Sequence, residues 1–143
     1  MMLASGNLQW GDDYPNPEVF TEDIAKEQLW IVTLQHKIVG VTAITTDQDP
    51  EYADAGWNIN ELAIVTHRLA VDPECQGMGL AKKLLNQAEL VAKAKNINIL
   101  RVDTNSENKA TQALFPKLGY TFSGEISLAK RPGLRFFCYQ KLL

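Results

Sequence analysis

The sequence predicts an α/β fold, a mixed central sheet with helices on its faces, and three observations predict it. Several short runs are rich in β-branched residues, as strands are. One long segment repeats apolar residues at helical spacing. Between the longest strand run and that helix lies a short turn carrying two glycines, Gly77 and Gly79.

The opening segment Met1–Tyr14 is weakly patterned, interrupted by Gly6 and Gly11. Asn16-Pro17 is a helix entry, with Asn as cap and Pro in the first turn. Val19, Phe20 and Ile24 give the helix an apolar stripe, and it ends near Glu27. Leu29–Leu34 and Ile38–Thr45 follow as a hairpin around Gln35-His36-Lys37. A loop with Asp47, Asp49, Pro50 and Gly56 carries Tyr52 and Trp57, and Glu61–Val71 is a long strand stopped by Asp72-Pro73. Leu80, Leu84, Leu85, Ala88, Val91 and Ala92 recur at helical spacing, predicting a helix from about Gly77 to Lys95. Ile97–Val102 is a strand, and Asn108–Leu118 a helix closed by Gly119. Tyr120–Ile126 and Arg135–Leu142 are the last strands, joined through Lys130-Arg131-Pro132-Gly133. The expected order is α-β-β-β-α-β-α-β-β.

No repeat, low-complexity tract or linker divides the 143 residues, so one domain over 1–143 is expected. A hydrophobic share of 45% supports a packed core, and the 22% charged residues are spread without long runs. The net charge of −3 argues against nucleic acid as a partner, which needs a basic surplus. Cys75 and Cys138 form no disulfide framework, and with His36 and His67 they offer no metal site. Met1–Trp10 lacks the build of a secretory signal, and no apolar run is long enough to span a membrane, so the expected address is the cytoplasm.

The chemistry concentrates in Ala70-Val71-Asp72-Pro73-Glu74-Cys75-Gln76-Gly77-Met78-Gly79-Leu80-Ala81. A helix N-terminus leaves N–H groups unpaired and carries partial positive charge, and glycines let a ligand approach the backbone, which suits a diphosphate. A dinucleotide-binding register fails, because Lys82 stands where its third small residue would be. No Gly-Lys-Ser/Thr phosphate loop is present. On spacing alone, a turn that merely starts a helix accounts for the pattern equally well.

Gln76-Gly77-Met78-Gly79-Leu80-Ala81 resembles the Gln/Arg-x-x-Gly-x-Gly/Ala signature of the GNAT acetyltransferases, in the right place between strand and helix. Arg68–Pro73 is similar to the strand leading into it. Asn108 to Tyr120, with Ala110, Phe115, Lys117, Leu118 and Gly119, resembles that family's downstream helix and turn. The resemblance runs from about Trp10 to the C-terminus and thins in the first half. It implies a GNAT-like acyl-CoA N-acyltransferase fold and transfer of an acetyl group from acetyl-CoA to a primary amine of a small molecule or peptide.

It also implies roles. Backbone amides of Gln76, Gly77, Met78, Gly79, Leu80, Ala81 and Lys82 would hold the CoA diphosphate. Leu69, Ala70 and Val71 would pair with the pantetheine arm as an added strand, which requires the neighbouring strand to splay away. Asn108 matches a side-chain contact to that arm, and Phe115 lies at the cofactor end. Lys117 would reach a phosphate or simply be solvated. An amide near Val71 would stabilise the oxyanion of direct attack, so Cys75 is not needed as a nucleophile.

Two departures stand out. Phe115 occupies the place of the family's usual tyrosine acid and cannot donate a proton. For the base, the sequence offers Glu61, His67 and Asp103, each of which also has an ordinary structural use. Glu61 and His67 share a face if their strand is regular. The second departure is that Gln9-Trp10-Gly11-Asp12-Asp13-Tyr14-Pro15 comes almost at once, as in a member lacking its first strand and most of its first helix. That short start and the apolar run Phe136–Tyr139 lead to the expectation of a homodimer. Trp10, Tyr14, Tyr52 and Trp57 would either line an amine pocket or pack an edge. The competing functions are a catalytically silent acyl-CoA-binding or interaction module, and an unrelated nucleotide-binding α/β protein.

Overall fold

The computed structural model describes residues 17–143. Helix α1 spans Pro17–Ala25, strand β1 Leu29–Leu34, β2 Lys37–Thr45, β3 Ile64–Val71 and helix α2 Leu80–Ala94. Strand β4 is Ile99–Asn105, helix α3 Lys109–Lys117, β5 Thr121–Leu128 and β6 Arg131–Leu142. The order is the one expected from the sequence. Among the described residues the strands form one six-stranded sheet in the order β1-β2-β3-β4-β6-β5. Among these described strands only β3 and β4 pair in parallel.

Several boundaries move for local reasons. β3 starts at Ile64 rather than Glu61, because Asn58–Glu61 is a turn in which the Asn58 side chain accepts from the Asn60 N–H and its carbonyl accepts from the Glu61 N–H. The first hairpin turns on Gln35 and His36, both at positive φ (51° and 69°), so Lys37 already belongs to β2. The last hairpin turns on Ala129-Lys130, since Leu128 pairs with Arg131, and Arg131-Pro132-Gly133 is strand rather than loop. The stripe expected on α1 also changes character. Ile24 is exposed, and among the described side chains of the helix the buried one is Asp23.

Alternation along the strands feeds two apolar layers. Ile64, Leu100, Val102 and Tyr139 face α2 and α3, where they meet Leu84, Leu85, Ala88 and Phe115. Val65, Phe136 and Cys138 face the opposite side and pack beneath Tyr52 and Trp57, which belong to the β2–β3 connection. Within the sheet, β6 lies between β4 and β5, so the Phe136–Tyr139 run is spent on the core and presents no edge to a partner.

The feature that positions the site is an interruption. β3 and β4 pair only through Ile64↔Leu100, Val65↔Arg101 and Thr66↔Val102. Beyond that point β3 remains bonded to β2 as far as Val71, and β4 to β6 as far as Asn105, so a gap opens between them. The cause is a bulge on β3. Arg68 and Leu69 together face Thr42, the register shifts there, and Arg68 adopts φ 55°. The guanidinium of Arg68 forms a two-point ion pair with Asp23 of α1, at 2.8 and 2.6 Å, and that carboxylate is almost fully buried. The Thr42 hydroxyl donates to the His67 carbonyl at 2.8 Å and holds the other side of the bulge.

Candidate active site

A groove of about 610 Å³ runs from the gap to the surface. One wall is Leu69, Ala70 and Val71 of β3, and the other is the α3 face with Asn108, Thr111, Leu114 and Lys117. Its far end is the turn from Cys75 to Lys82. Gly77 and Gly79 take φ 87° and 76°, and a side chain built on either would meet nothing within 4 Å, so the backbone there is open to an approaching ligand. Helix α2 starts directly at Leu80 with its first N–H groups on this side. Lys82, Lys109 and Lys117 add positive charge along the same groove in a chain that is acidic overall.

A second, smaller cavity of about 50 Å³ continues the gap on the inner side and shares Leu69 and Thr111 with the groove. His67 and Asp103 line it, the first side chains of β3 and β4 past the last paired residues. With Asp49 they place one side-chain nitrogen or oxygen each within 4.8 Å of one another. Each already has a hydrogen-bond partner. Tyr52 donates to Asp103 at 2.5 Å, Lys130 to Asp49 at 3.2 Å, and His67 Nε2 sits 2.9 Å from the Asp47 carbonyl. Burial lowers the basicity of His67 against the pull of these carboxylates. Burial likewise raises Asp103 above the usual carboxylate range, opposed by the Tyr52 hydrogen bond. The Tyr52 hydroxyl is held well above its ordinary value by its own burial and by Asp103.

Of the residues expected at the cofactor, Leu69, Ala70, Val71, Gln76, Gly77, Gly79, Leu80, Ala81, Lys82 and Asn108 line the groove. Met78 does not, and its side chain is half exposed. Phe115 lines the smaller cavity, not the groove, and is otherwise core, packed on Tyr139 and Tyr120 at ring distances of 5.1 and 5.7 Å. Asn108 caps α3, its Oδ1 accepting from the Thr111 N–H at 3.2 Å.

Glu61 and His67 do not share a face. Glu61 lies before the strand and pairs with Arg101 at 3.1 Å. Arg101 is fully buried, bonded also to Gln48, Gln140 and the Asn58 carbonyl, and stands over the Trp57 ring. Tyr52 and Trp57 are core rather than pocket wall, while Trp10 and Tyr14 lie outside the described residues.

Sequence reasoning missed Thr111 and Leu114 as groove residues, although the spacing of three from Asn108 to Thr111 and again to Leu114 was a signal for one helix face. It also missed Asp49 beside His67. No local pattern announces that contact, because it depends on how the β2–β3 connection folds back.

Residues 4–120 match the family model for the acetyltransferase (GNAT) family. A protein of Pseudomonas phage PaMx11 named 5-NmdU N-acetyltransferase is 24% identical over 127 residues, 87% of this chain and 81% of that protein. A provisionally named acetyltransferase from Staphylococcus aureus Mu50 is 34% identical with a TM-score of 0.70, covering 90% of this chain and 81% of its own. At 17% identity the fold extends to a provisionally named Salmonella typhimurium acetyltransferase solved with its cofactor acetyl-CoA, TM-score 0.69, over 94% of this chain and 78% of that one. The strand–turn–helix groove and the family match agree, and the chain belongs to the GNAT acetyltransferase family as an acetyl-CoA-dependent acyltransferase.

Proposed function

We propose that this chain moves the acetyl group of acetyl-CoA onto a primary amine of a small molecule or peptide by direct attack. The observation that carries the reading is the continuity of the groove with the β3–β4 gap. One end offers unpaired N–H groups and lysines for a diphosphate, and the other opens on a cavity holding titratable side chains. The amides from Gln76 to Lys82 would bind the diphosphate, and β3 at Leu69–Val71, past its last pair with β4, would pair with the pantetheine amides. A β3 amide near Val71 would stabilise the oxyanion. Asn108 would meet the arm through its amide nitrogen, since its oxygen serves the helix cap.

Two measurements test this. Saturating acetyl-CoA at a hundredfold over its Kd should add about 2.7 kcal/mol of stability. Free-thiol release should then depend on an amine drawn from a panel of spermidine, a lysine peptide, a peptide with a free N-terminal alanine and 5-NmdU. The last is included because the phage relative is named for it. A thermal shift without turnover on any amine would favour the silent acyl-CoA-binding module, the reading prompted by Phe115. A homodimer is supported by the exposed Ile31 and Leu34 of β1, the outermost strand among the described residues, and the neighbouring Ile38. Light scattering at micromolar concentration checks it, and a monomeric mass would oppose it.

A further inference from the structure

Among the three candidate bases, the geometry separates one. Glu61 is held by the buried guanidinium of Arg101, and Asp103 accepts from Tyr52. His67 faces the cavity with its Nε2 against the Asp47 carbonyl. A carbonyl oxygen can only accept, so the Nε2 position carries the proton and the lone pair of the neutral ring is on Nδ1. We propose that His67 is the general base of the reaction, its ring held in that tautomer by the Asp47 carbonyl. The inference rests on the acetyl-transfer reading above.

The groups around the ring support the assignment. Asp103 faces it from β4, and Asp47 and Asp49 from the β2–β3 connection. Arg68 follows it on β3, and Lys130 bonds Asp49 from the β5–β6 turn. The nearby carboxylates would stabilise the imidazolium once formed, while burial keeps the resting ring neutral and able to accept.

In the step, a bound ammonium gives one proton to Nδ1 and becomes the free amine. The amine nitrogen attacks the thioester carbon, forming the C–N bond and a tetrahedral oxyanion. Collapse restores the carbonyl and breaks the C–S bond, whose electron pair leaves on the sulfur. The second amine proton passes to that thiolate, giving amide and free CoA, and the imidazolium returns its proton to solvent. The sum is ammonium plus thioester to amide, thiol and one proton.

The test uses the fastest amine of the panel. His67→Gln keeps a donor for the Asp47 carbonyl but has no base. It should lower kcat at pH 7 by about 10²–10⁴-fold, with the acetyl-CoA thermal shift unchanged. The acid-side inflection of wild-type kcat that His67 sets, placed by burial below the ordinary histidine value, should vanish in the variant. In His67→Ala, added imidazole should restore kcat at least tenfold in a concentration-dependent way. A Gln variant within threefold of wild type overturns the assignment. So does a large loss that retains the acidic limb and gains nothing from imidazole, since that would mark a structural role. An active wild type with an active variant removes His67 alone. A wild type silent on every amine removes the parent reading and this one with it.

Discussion

Arg101 carries more of the fold than its single charge suggests. Its guanidinium is fully buried, satisfies Gln48, Gln140 and the Asn58 carbonyl, and pins the β2–β3 connection to the sheet. Arg101→Met should therefore cost about 3 kcal/mol in denaturant unfolding, because it strips donors from several buried acceptors. Glu61 is half exposed at the rim of that network, and Glu61→Gln should cost under about 1 kcal/mol and leave kcat within about threefold. A hundredfold drop in kcat would return Glu61 to catalysis. Phe115 poses a different question. Phe115→Tyr puts a hydroxyl on a ring that is packed on Tyr139 yet borders the inner cavity. Since a thiol with pKa near ~8.5 leaves readily as thiolate, a new acid should raise kcat less than about tenfold. A gain of orders of magnitude, read in the same thiol-release assay, would mean that the natural chain is impaired.

Two elements make the site, and they differ in how far the sequence announced them. The turn before α2 was legible because Gly77 and Gly79 sit between a proline stop and an apolar helical repeat, and both glycines adopt positive φ with open space beside them. Gly79→Asn and Gly79→Glu separate backbone strain from ligand clash. Asn tolerates the left-handed conformation better than other side chains, while Glu adds a carboxylate where a diphosphate would lie. Both variants should remain folded. The Asn variant should keep most of the acetyl-CoA thermal shift and the Glu variant should lose it. An undiminished shift in Gly79→Glu would place the cofactor elsewhere. The bulge on β3 was not legible. Nothing in His67-Arg68-Leu69 marks a residue at φ 55°, and the Asp23 that holds Arg68 lies 45 residues earlier in a helix whose stripe looked apolar. The splay itself was anticipated only through the family resemblance, since strand pattern alone predicts pairing along the whole length.

Across the whole molecule, element order and the apolar stripe of α2 followed from periodicity, whereas the layer around Tyr52 and Trp57 and the inner cluster came from long-range packing. Tyr52 and Asp103 are 51 residues apart and meet only after the 3-10 turn at Pro50–Ala55 folds over the sheet. That cluster gives the fold a pH signature. Burial depresses the folded-state pKa of His67 below its unfolded value of about 6.5, so the unfolded chain binds more protons in that window. The stability it contributes is present above about pH 6.5 and lost as pH falls through the lower folded value. The burial shift of Asp103 has the opposite sign, favouring the fold below its ordinary value near 3.8 and fading as pH rises through the raised one. Between pH 7 and 5 the wild-type Tm should fall more than that of His67→Gln, and equal slopes by calorimetry would contradict a neutral buried ring. In the proposed reaction the groove and the gap work as one continuous site, loading acetyl-CoA at the glycine turn and delivering its acetyl group to an amine at His67. Its most direct measurement is amine-dependent thiol release, with the product identified by mass spectrometry across the panel. At least one amine should gain a single acetyl group in step with each thiol released. Acetyl-CoA that binds but releases thiol no faster with any amine than without would contradict it.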